Sequence, residues 1–135
     1  MDTDTIVAAL RSPSGASAAL LGAARRGAPS LLASVSLCLE YEAVCSRPEH
    51  MDAAGVSHDE VRIFFDALAT LAEPVMTWFL WRPQLRDPGD ELVLEAAVNG
   101  RADAIVTFNL RHFAPAARFG ISVLRPGDAL GRLNR

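Results

Sequence analysis

The chain has 135 residues, of which 50% are hydrophobic, and its formal net charge is −3. These values predict a single domain over residues 1–135 with a substantial core, and they exclude both a disordered chain and a strongly basic nucleic-acid binder. All 13 basic residues are arginines, so a Walker A phosphate-binding loop, which requires a lysine, is excluded.

The N-terminal stretch MDTDTIVAAL carries two acids, whereas a secretory signal begins with positive charge. No apolar run reaches the length of a membrane span. We therefore expect no membrane association and a cytoplasmic location. Cys38 and Cys45 would lie about 10 Å apart on one helix, which is too far for a disulfide, so we expect two free thiols.

Helices and short apolar strands alternate along the first half of the chain. Serine, glycine and proline mark most of the boundaries, as they do at helix ends and turns. The predicted elements are an apolar helix after Asp4, a helix within 11–27 ended by Gly27, a strand in 29–36, a helix over 36–47 ended by Pro48, and a helix over 57–72 opened by a Ser57–Glu60 capping box.

The second half continues the same alternation. The predicted elements are an aromatic strand in 73–81, a helix over 86–100, a buried strand in 102–108, an irregular helical link over 109–120, and a strand followed by a turn in 121–130. This order predicts an α/β domain with a mostly parallel sheet. Ligands of such sheets bind beyond the carboxyl ends of the strands.

Acidic and amide side chains fall at these predicted strand ends. Carboxylates at close range raise one another's pKa or bind a cation, and oxygen ligands favour Mg²⁺ or Mn²⁺. The candidates are Asp2 and Asp4 at the start of the chain, Glu40 on the helix after LLAS, Asp87, Asp90 and Glu91 before LVLEAA, and Asn109 after AIVTF.

The segment RDPGDELVLEAA (86–97) has a second interpretation. Asp87 can be the N-cap of a helix that has Pro88 as its first residue, where a missing N–H costs nothing. Asp90 then suits the positive end of the helix dipole. The sequence leaves open whether these carboxylates cap the helix or bind a metal ion.

Three blocks together resemble the PIN domain, a family of small metal-dependent ribonucleases that includes the VapC-type toxins of type II toxin–antitoxin systems. The blocks are MDTDTIVAALRSPSGASAALL, LASVSLCLEYEAVCSRP and RDPGDELVLEAAVNGRADAIVTFNLRHF. Their order and spacing match best the subgroup of toxin components. The resemblance implies a three-layer domain with a central, mostly parallel sheet flanked by helices. The family's first strand precedes the residue that matches Asp2, so we expect that strand to be truncated here.

The resemblance also implies roles for individual residues. Asp2, Glu40 and Asp90 match the family's catalytic metal ligands, and Asp87 and Asp4 would lie beside them. Asn109, with Thr107 as a second auxiliary residue, falls where the family usually has a fourth acid. We expect Asp4 to supply the charge that Asn109 lacks.

The implied reaction is hydrolysis of RNA by a water molecule that Mg²⁺ or Mn²⁺ activates, which leaves a 5′-phosphate and a 3′-hydroxyl. We expect the RNA backbone to contact arginines that flank the acids, namely Arg82, Arg86, Arg111 and Arg118. Trp78 and Trp81 would stack on bases or belong to the core or a dimer surface. The implied partners are RNA, a small antitoxin protein and a second copy of the chain.

Two alternatives are compatible with these residues. The chain could be a catalytically weak or inactive PIN-like module that binds an antitoxin or itself, because Asn109 replaces an acid and the first strand is short. The stretch DTDT also resembles the turn of haloacid-dehalogenase-type phosphatases, in which Asp2 would be a nucleophile. That family usually uses a lysine to hold the phosphate, and this chain has none.

Overall fold

The computed structural model describes residues 1–78 and 85–134. The helices are α1 Thr3–Arg11, α2 Ala16–Arg25, α3 Val35–Cys45, α4 Pro48–Ala54, α5 His58–Leu71, α6 Pro88–Asn99 and α7 Pro126–Leu133, with a 3₁₀ segment at Leu110–Phe119. The strands are β1 Leu32–Ala33, β2 Glu73–Pro74, β3 Ala104–Val106 and β4 Ser122–Leu124. The alternation predicted from the sequence is confirmed as an α/β arrangement.

Local capping explains why several helices begin where the sequence predicts. The Ser34 hydroxyl accepts the Leu37 N–H at 3.1 Å, which opens α3. Ser57 and Glu60 form the predicted capping box of α5. Each cap satisfies a backbone N–H that an isolated helix end leaves unpaired.

The structure differs from the predicted elements in three places. The chain after Pro48 forms a further helix, α4, because proline is well suited to the first helical position. The turn predicted after β4 is α7, which packs against α2 and buries Pro126 and Ala129. Of the strand predicted in 73–81, only Glu73–Pro74 forms one within the described part, and residues 79–81 lie outside it.

The described strands form two parallel pairs, β1 with β2 and β3 with β4. A single central sheet in a three-layer domain is therefore not confirmed. Helix α6 packs against both β1 and β3, and its Val93, Leu94 and Ala97 are almost completely buried. Leu92, on the same helix, is only half-buried. One helix thus supports both strand pairs.

Among the described residues, the inner edge of β3 is largely unpaired. In a parallel strand, successive residues direct their backbone groups to opposite sides. In β3, Ile105 directs its backbone groups towards β4. Ala104 and Val106 therefore direct their backbone groups away from β4. Val106 O accepts the Asp2 N–H at 2.8 Å. Asp2 therefore takes the position next to β3 at which a neighbouring strand would end.

The inner edge of β1 faces the same space. The carbonyls of Leu31 and Ala33 accept the N–H groups of Glu73 in β2 and of Val75 just after it, so the backbone groups of Leu32 point to the other side. Between Leu32 and β3 lies a cavity of about 480 Å³, whose walls are completed by α2, α6 and α7. We call this cavity the interstrand cleft.

Both cysteines are free thiols, as predicted, with Cys45 buried and Cys38 half-buried. Within residues 1–78 and 85–134, no single helix is long and apolar enough to cross a membrane. Only α1 and α2 together meet the length and composition, and they are bent by 96° at their junction.

Candidate functional site

Asp2 lies at the carboxyl end of β3 and is 4% exposed. Its Oδ2 accepts the Thr107 hydroxyl at 2.7 Å, and Thr107 is itself fully buried. Burial raises the pKa of Asp2 above its ordinary value, the Thr107 hydrogen bond opposes this, and the nearby Asp4 charge raises the pKa further. Asp2 is therefore a buried carboxylate at the position where the predicted site was expected.

Asp4 and Asn109 meet at the rim of the same site. The Asn109 amide donates to Asp4 Oδ2 at 2.7 Å, and the Asn109 backbone N–H donates to Thr107 Oγ1 at 3.0 Å. Thr107 thus connects Asn109 to Asp2. We expect Asp4 to supply the charge that Asn109 lacks. The hydrogen bond fits this expectation, because it places the Asp4 carboxylate next to the amide that stands where the PIN domain usually has an acid.

The first turn of α6 assigns different roles to its two aspartates. Asp87 is the N-cap, and its Oδ1 accepts the N–H groups of Gly89 at 2.7 Å and Asp90 at 3.3 Å. Asp90 instead lies within electrostatic reach of Asp2. Burial, the Asp2 charge and the Asp87 charge raise the pKa of Asp90 to about 6. The capping interpretation therefore holds for Asp87, whereas Asp90 points towards the other acids.

Glu40 reaches the same helix end from α3. A β-carbon at Gly89 would lie 3.3 Å from Glu40 Oε1 and 3.1 Å from Asp87 Oδ1. Glycine at position 89 therefore leaves room for two carboxylate oxygens beside the N-terminus of α6. Glu91, the remaining acid of this segment, is buried and accepts the Leu85 N–H, so it stabilises the preceding loop.

The carboxylates suit a hard divalent cation in kind, since every donor is an oxygen. The Asp2 charge contributes to the raised pKa of Asp90, and Glu40 lies against the space at Gly89. Among the described residues, however, no three acidic, histidine or cysteine side chains are close enough together to hold a metal ion. Asp2, Asp90 and Glu40 are the residues that could bind one, with Asp4 at the rim.

His112 was missed by the sequence analysis. Its Nδ1 lies 3.2 Å from Asp90 Oδ2, and the histidine side chain is 56% exposed while that of Asp90 is 15% exposed. The 3₁₀ segment directs His112 back towards α6, which it contacts. The only sequence signal was a histidine three residues after Asn109, beyond a strand end.

The predicted RNA-contacting residues are only partly placed by the structure. Arg86, Arg111 and Arg118 are exposed. Trp78 is 74% exposed, so it does not belong to the core, and its backbone N–H donates to Asn99 Oδ1 at 3.0 Å. Arg82 and Trp81 lie outside the described residues.

A family model of the PIN domain matches residues 1–111. The chain belongs to the PIN domain family. No curated protein and no solved structure matches it significantly. PIN domains are generally metal-dependent nucleases. The stretch DTDT lies at the start of the matched region, so the phosphatase interpretation is not retained. The match covers Asp2, Glu40, Asp90 and Asn109.

Proposed function

We propose that this PIN domain is an endoribonuclease that depends on Mg²⁺ or Mn²⁺ and acts as the toxin of a toxin–antitoxin pair in the cytoplasm. The observation that carries the proposal is the electrostatic coupling of Asp2 and Asp90, two acids that are far apart in sequence and come from different elements. A carboxyl whose pKa is raised by partial burial and by a neighbouring carboxylate is typical of functional sites, because a cation or a proton must offset the repulsion.

Each residue contributes a distinct part of the proposed chemistry. Asp2, Glu40 and Asp90 would hold the cation, which lowers the pKa of a bound water and offsets charge on the phosphate. Thr107 fixes the Asp2 carboxylate through its hydrogen bond. His112 holds Asp90 from the solvent side. Asp87 keeps the start of α6 in place by capping it.

Exposed apolar residues support the proposed homodimer and antitoxin contacts. Val35 is 76% exposed and Leu39 is 61% exposed, one turn apart on α3. Ile63 on the neighbouring α5 is 68% exposed. Apolar side chains grouped on one surface are typical of protein interfaces. The exposed arginines Arg86 and Arg111 would meet the RNA backbone.

The test is cleavage of labelled RNA by the parent, Asp90→Asn and Asp59→Asn proteins in Mg²⁺, Mn²⁺ or EDTA. Asp59 makes a matched control because it also lies in the first turn of a helix, α5. We expect Asp90→Asn to lower the cleavage rate by about 10²-fold or more, since metal stabilisation contributes several kcal/mol in the transition state. Asp59→Asn should cleave like the parent.

Two outcomes would contradict the proposal. One is that Asp90→Asn cleaves RNA at the parent rate. The other is that the parent cleaves no RNA in either metal while its fold is intact by circular dichroism. The second outcome would favour a PIN module that only binds partners. This alternative is supported by the Asn109 amide, which already forms a hydrogen bond with the Asp4 carboxylate.

A further inference from the structure

A second cavity, of about 580 Å³, lies beside the acidic site. It is lined by the start of α2, the start of α7, one face of α1 and the strand end after β3. The residues that matter here are Ser12, Gly15, Ser17, Phe108, Arg125 and Gly127. We call this cavity the α2–α7 pocket.

Two helix N-termini converge on the α2–α7 pocket, and neither is capped by a side chain. The N-cap of α2 is Gly15, and the N-cap of α7 is Arg125. The first N–H groups of a helix have no partner within the helix, and they carry the positive end of its dipole. The pocket therefore receives N–H groups that no side chain caps from two helices, and Arg125 is part of its lining.

Ser17 provides an independent indication of a ligand. It lines the pocket, its side chain is 3% exposed, and its hydroxyl has no hydrogen-bond partner. A buried hydroxyl without a partner is costly, and each such group in a native fold calls for an explanation. An oxygen-rich ligand in the pocket would provide the missing acceptor.

The hydrogen-bond donors of the pocket favour a phosphate group. Phosphates bind at helix N-termini because backbone N–H groups and the helix dipole point at them. Arginine adds a planar donor that matches two phosphate oxygens. Asp128, in the first turn of α7, is the one acid in the lining and is exposed, so its charge is partly screened by solvent.

The position of the pocket connects it to the acidic site. Ala8 lines the pocket one turn along α1 from Asp4, which corresponds to about 6 Å along the helix axis. Phe108, which is 47% exposed, stands between Thr107 and Asn109. An RNA strand with one phosphate at the acids could therefore place another in the pocket and a base on the Phe108 ring.

We infer that the α2–α7 pocket binds a backbone phosphate of the RNA substrate next to the phosphate that is cleaved. This inference rests on the proposed ribonuclease function and extends it by fixing the path of the strand. Ser17 and Arg125 would contact the phosphate, and Phe108 would stack on a base. The pocket would then position the substrate rather than take part in the bond cleavage.

The sharpest test uses a charge pair at Gly127. A β-carbon there would meet no atom within 4 Å and the backbone is not left-handed, so larger residues fit. Gly127→Glu places a carboxylate at the pocket, and acids near a helix N-terminus are favourable for folding. Gly127→Gln has nearly the same shape without the charge.

Binding is measured by fluorescence anisotropy with a labelled hexauridylate in EDTA, so that no cleavage activity is needed. We expect Gly127→Glu to weaken binding at least tenfold relative to Gly127→Gln, with a melting temperature no lower. Arg125→Gln and Ser17→Ala should each weaken binding about three- to tenfold. Arg132→Gln, on the same helix but lining the interstrand cleft, should bind like the parent.

The outcomes separate this inference from the proposed function. Loss of binding in the pocket variants of a chain that cleaves no RNA would support the pocket and contradict the ribonuclease. Equal binding by Gly127→Glu and Gly127→Gln would overturn the pocket even if the parent cleaves RNA. Competition by millimolar inorganic phosphate should be weak. If inorganic phosphate binds and hexauridylate does not displace it, the site takes free phosphate, which overturns the RNA assignment.

Discussion

The acidic site and the interstrand cleft both lie beside β3, yet they differ in how completely their groups are paired. At the acidic site, Asp2 binds Thr107 and Asn109 binds Asp4, so side chains from distant parts of the chain hold one another. At the cleft, Leu32 and Ala104 direct backbone groups into open space. The carboxyl end of the strand is thus organised while its side is not. The Asp2–Thr107 and Asp4–Asn109 pairs therefore form beside β3 although β1 and β3 do not pair with each other.

The largest expected change in stability comes from filling the interstrand cleft with an additional strand. An extension of three β-branched residues ahead of Met1 would continue from Asp2 along β3 and reach Leu32 on the other side. Burying each apolar side chain contributes about 1.5–3 kcal/mol, offset by about 1–2 kcal/mol for ordering each residue. We expect the free energy of unfolding to rise by about 2–3 kcal/mol in urea denaturation.

A Gly-Ser-Gly extension serves as the control, because it adds length without apolar surface. It should leave the free energy of unfolding near that of the parent. Equal midpoints for the two extensions would show that the cleft does not accept a strand, and that the two strand pairs are complete as they stand.

Changing Asn109 to aspartate tests whether the acidic site binds a metal ion. Asn109→Asp removes the amide that donates to Asp4 and sets two carboxylates against each other. Like charges repel without a cation and bind one more tightly. We expect Mn²⁺ affinity to rise about tenfold, equivalent to about 1.4 kcal/mol, and metal-free stability to fall.

Isothermal titration of Mn²⁺ and thermal melts with and without the metal measure both effects. Asn134→Asp, near the chain end, makes the same chemical change away from the site. If Asn109→Asp and Asn134→Asp bind Mn²⁺ equally, the amide position does not belong to a metal site.

The smallest expected effect is a pH dependence of the metal-free protein. The pKa of Asp90 is about 6 in the fold against 3.8 ordinarily. The native state therefore holds more protons than the unfolded state between these values, so stability falls as pH rises from about 4 to about 6. Solvent screening at this partly exposed group limits the fall to about 1 kcal/mol.

Urea denaturation of the parent and Asp90→Asn across this pH range isolates the contribution of Asp90. The groups that face it are Asp2, Asp87 and His112, and His112 favours the ionised acid, which reduces the fall. A parent and an Asp90→Asn protein with parallel pH profiles would contradict the raised pKa.

Local signals made much of the fold predictable. The starts of α3, α5 and α6 depend on a capping side chain within three residues, so the sequence alone indicates them. The sequence predicts only a turn after β4, where the structure has α7, and Gly127 and Gly131 have low helix propensity. Its packing against α2 outweighs that propensity, and such packing cannot be inferred from neighbouring residues.

At the acidic site, too, some features could be predicted from the sequence and others depend on packing. Asp2, Glu40 and Asp90 could be predicted as candidates because acids follow predicted strands, and their roles as metal ligands stay a prediction. The resemblance to the PIN domain selects Asp90 from Asp87, Asp90 and Glu91, whereas the residue pattern alone cannot, since the choice depends on how α6 is rotated against β3. The approach of His112 depends on an irregular segment without a clear periodicity.

Helix α6 links the acidic site to the interstrand cleft. Its first turn carries Asp90, and its body lines the interstrand cleft through Val93 and Ala97. A molecule that occupies the cleft and shifts this helix would change the distance from Asp90 to Asp2, and with it the affinity for a cation. By thermodynamic reciprocity, the cation would change the affinity of the cleft by the same factor.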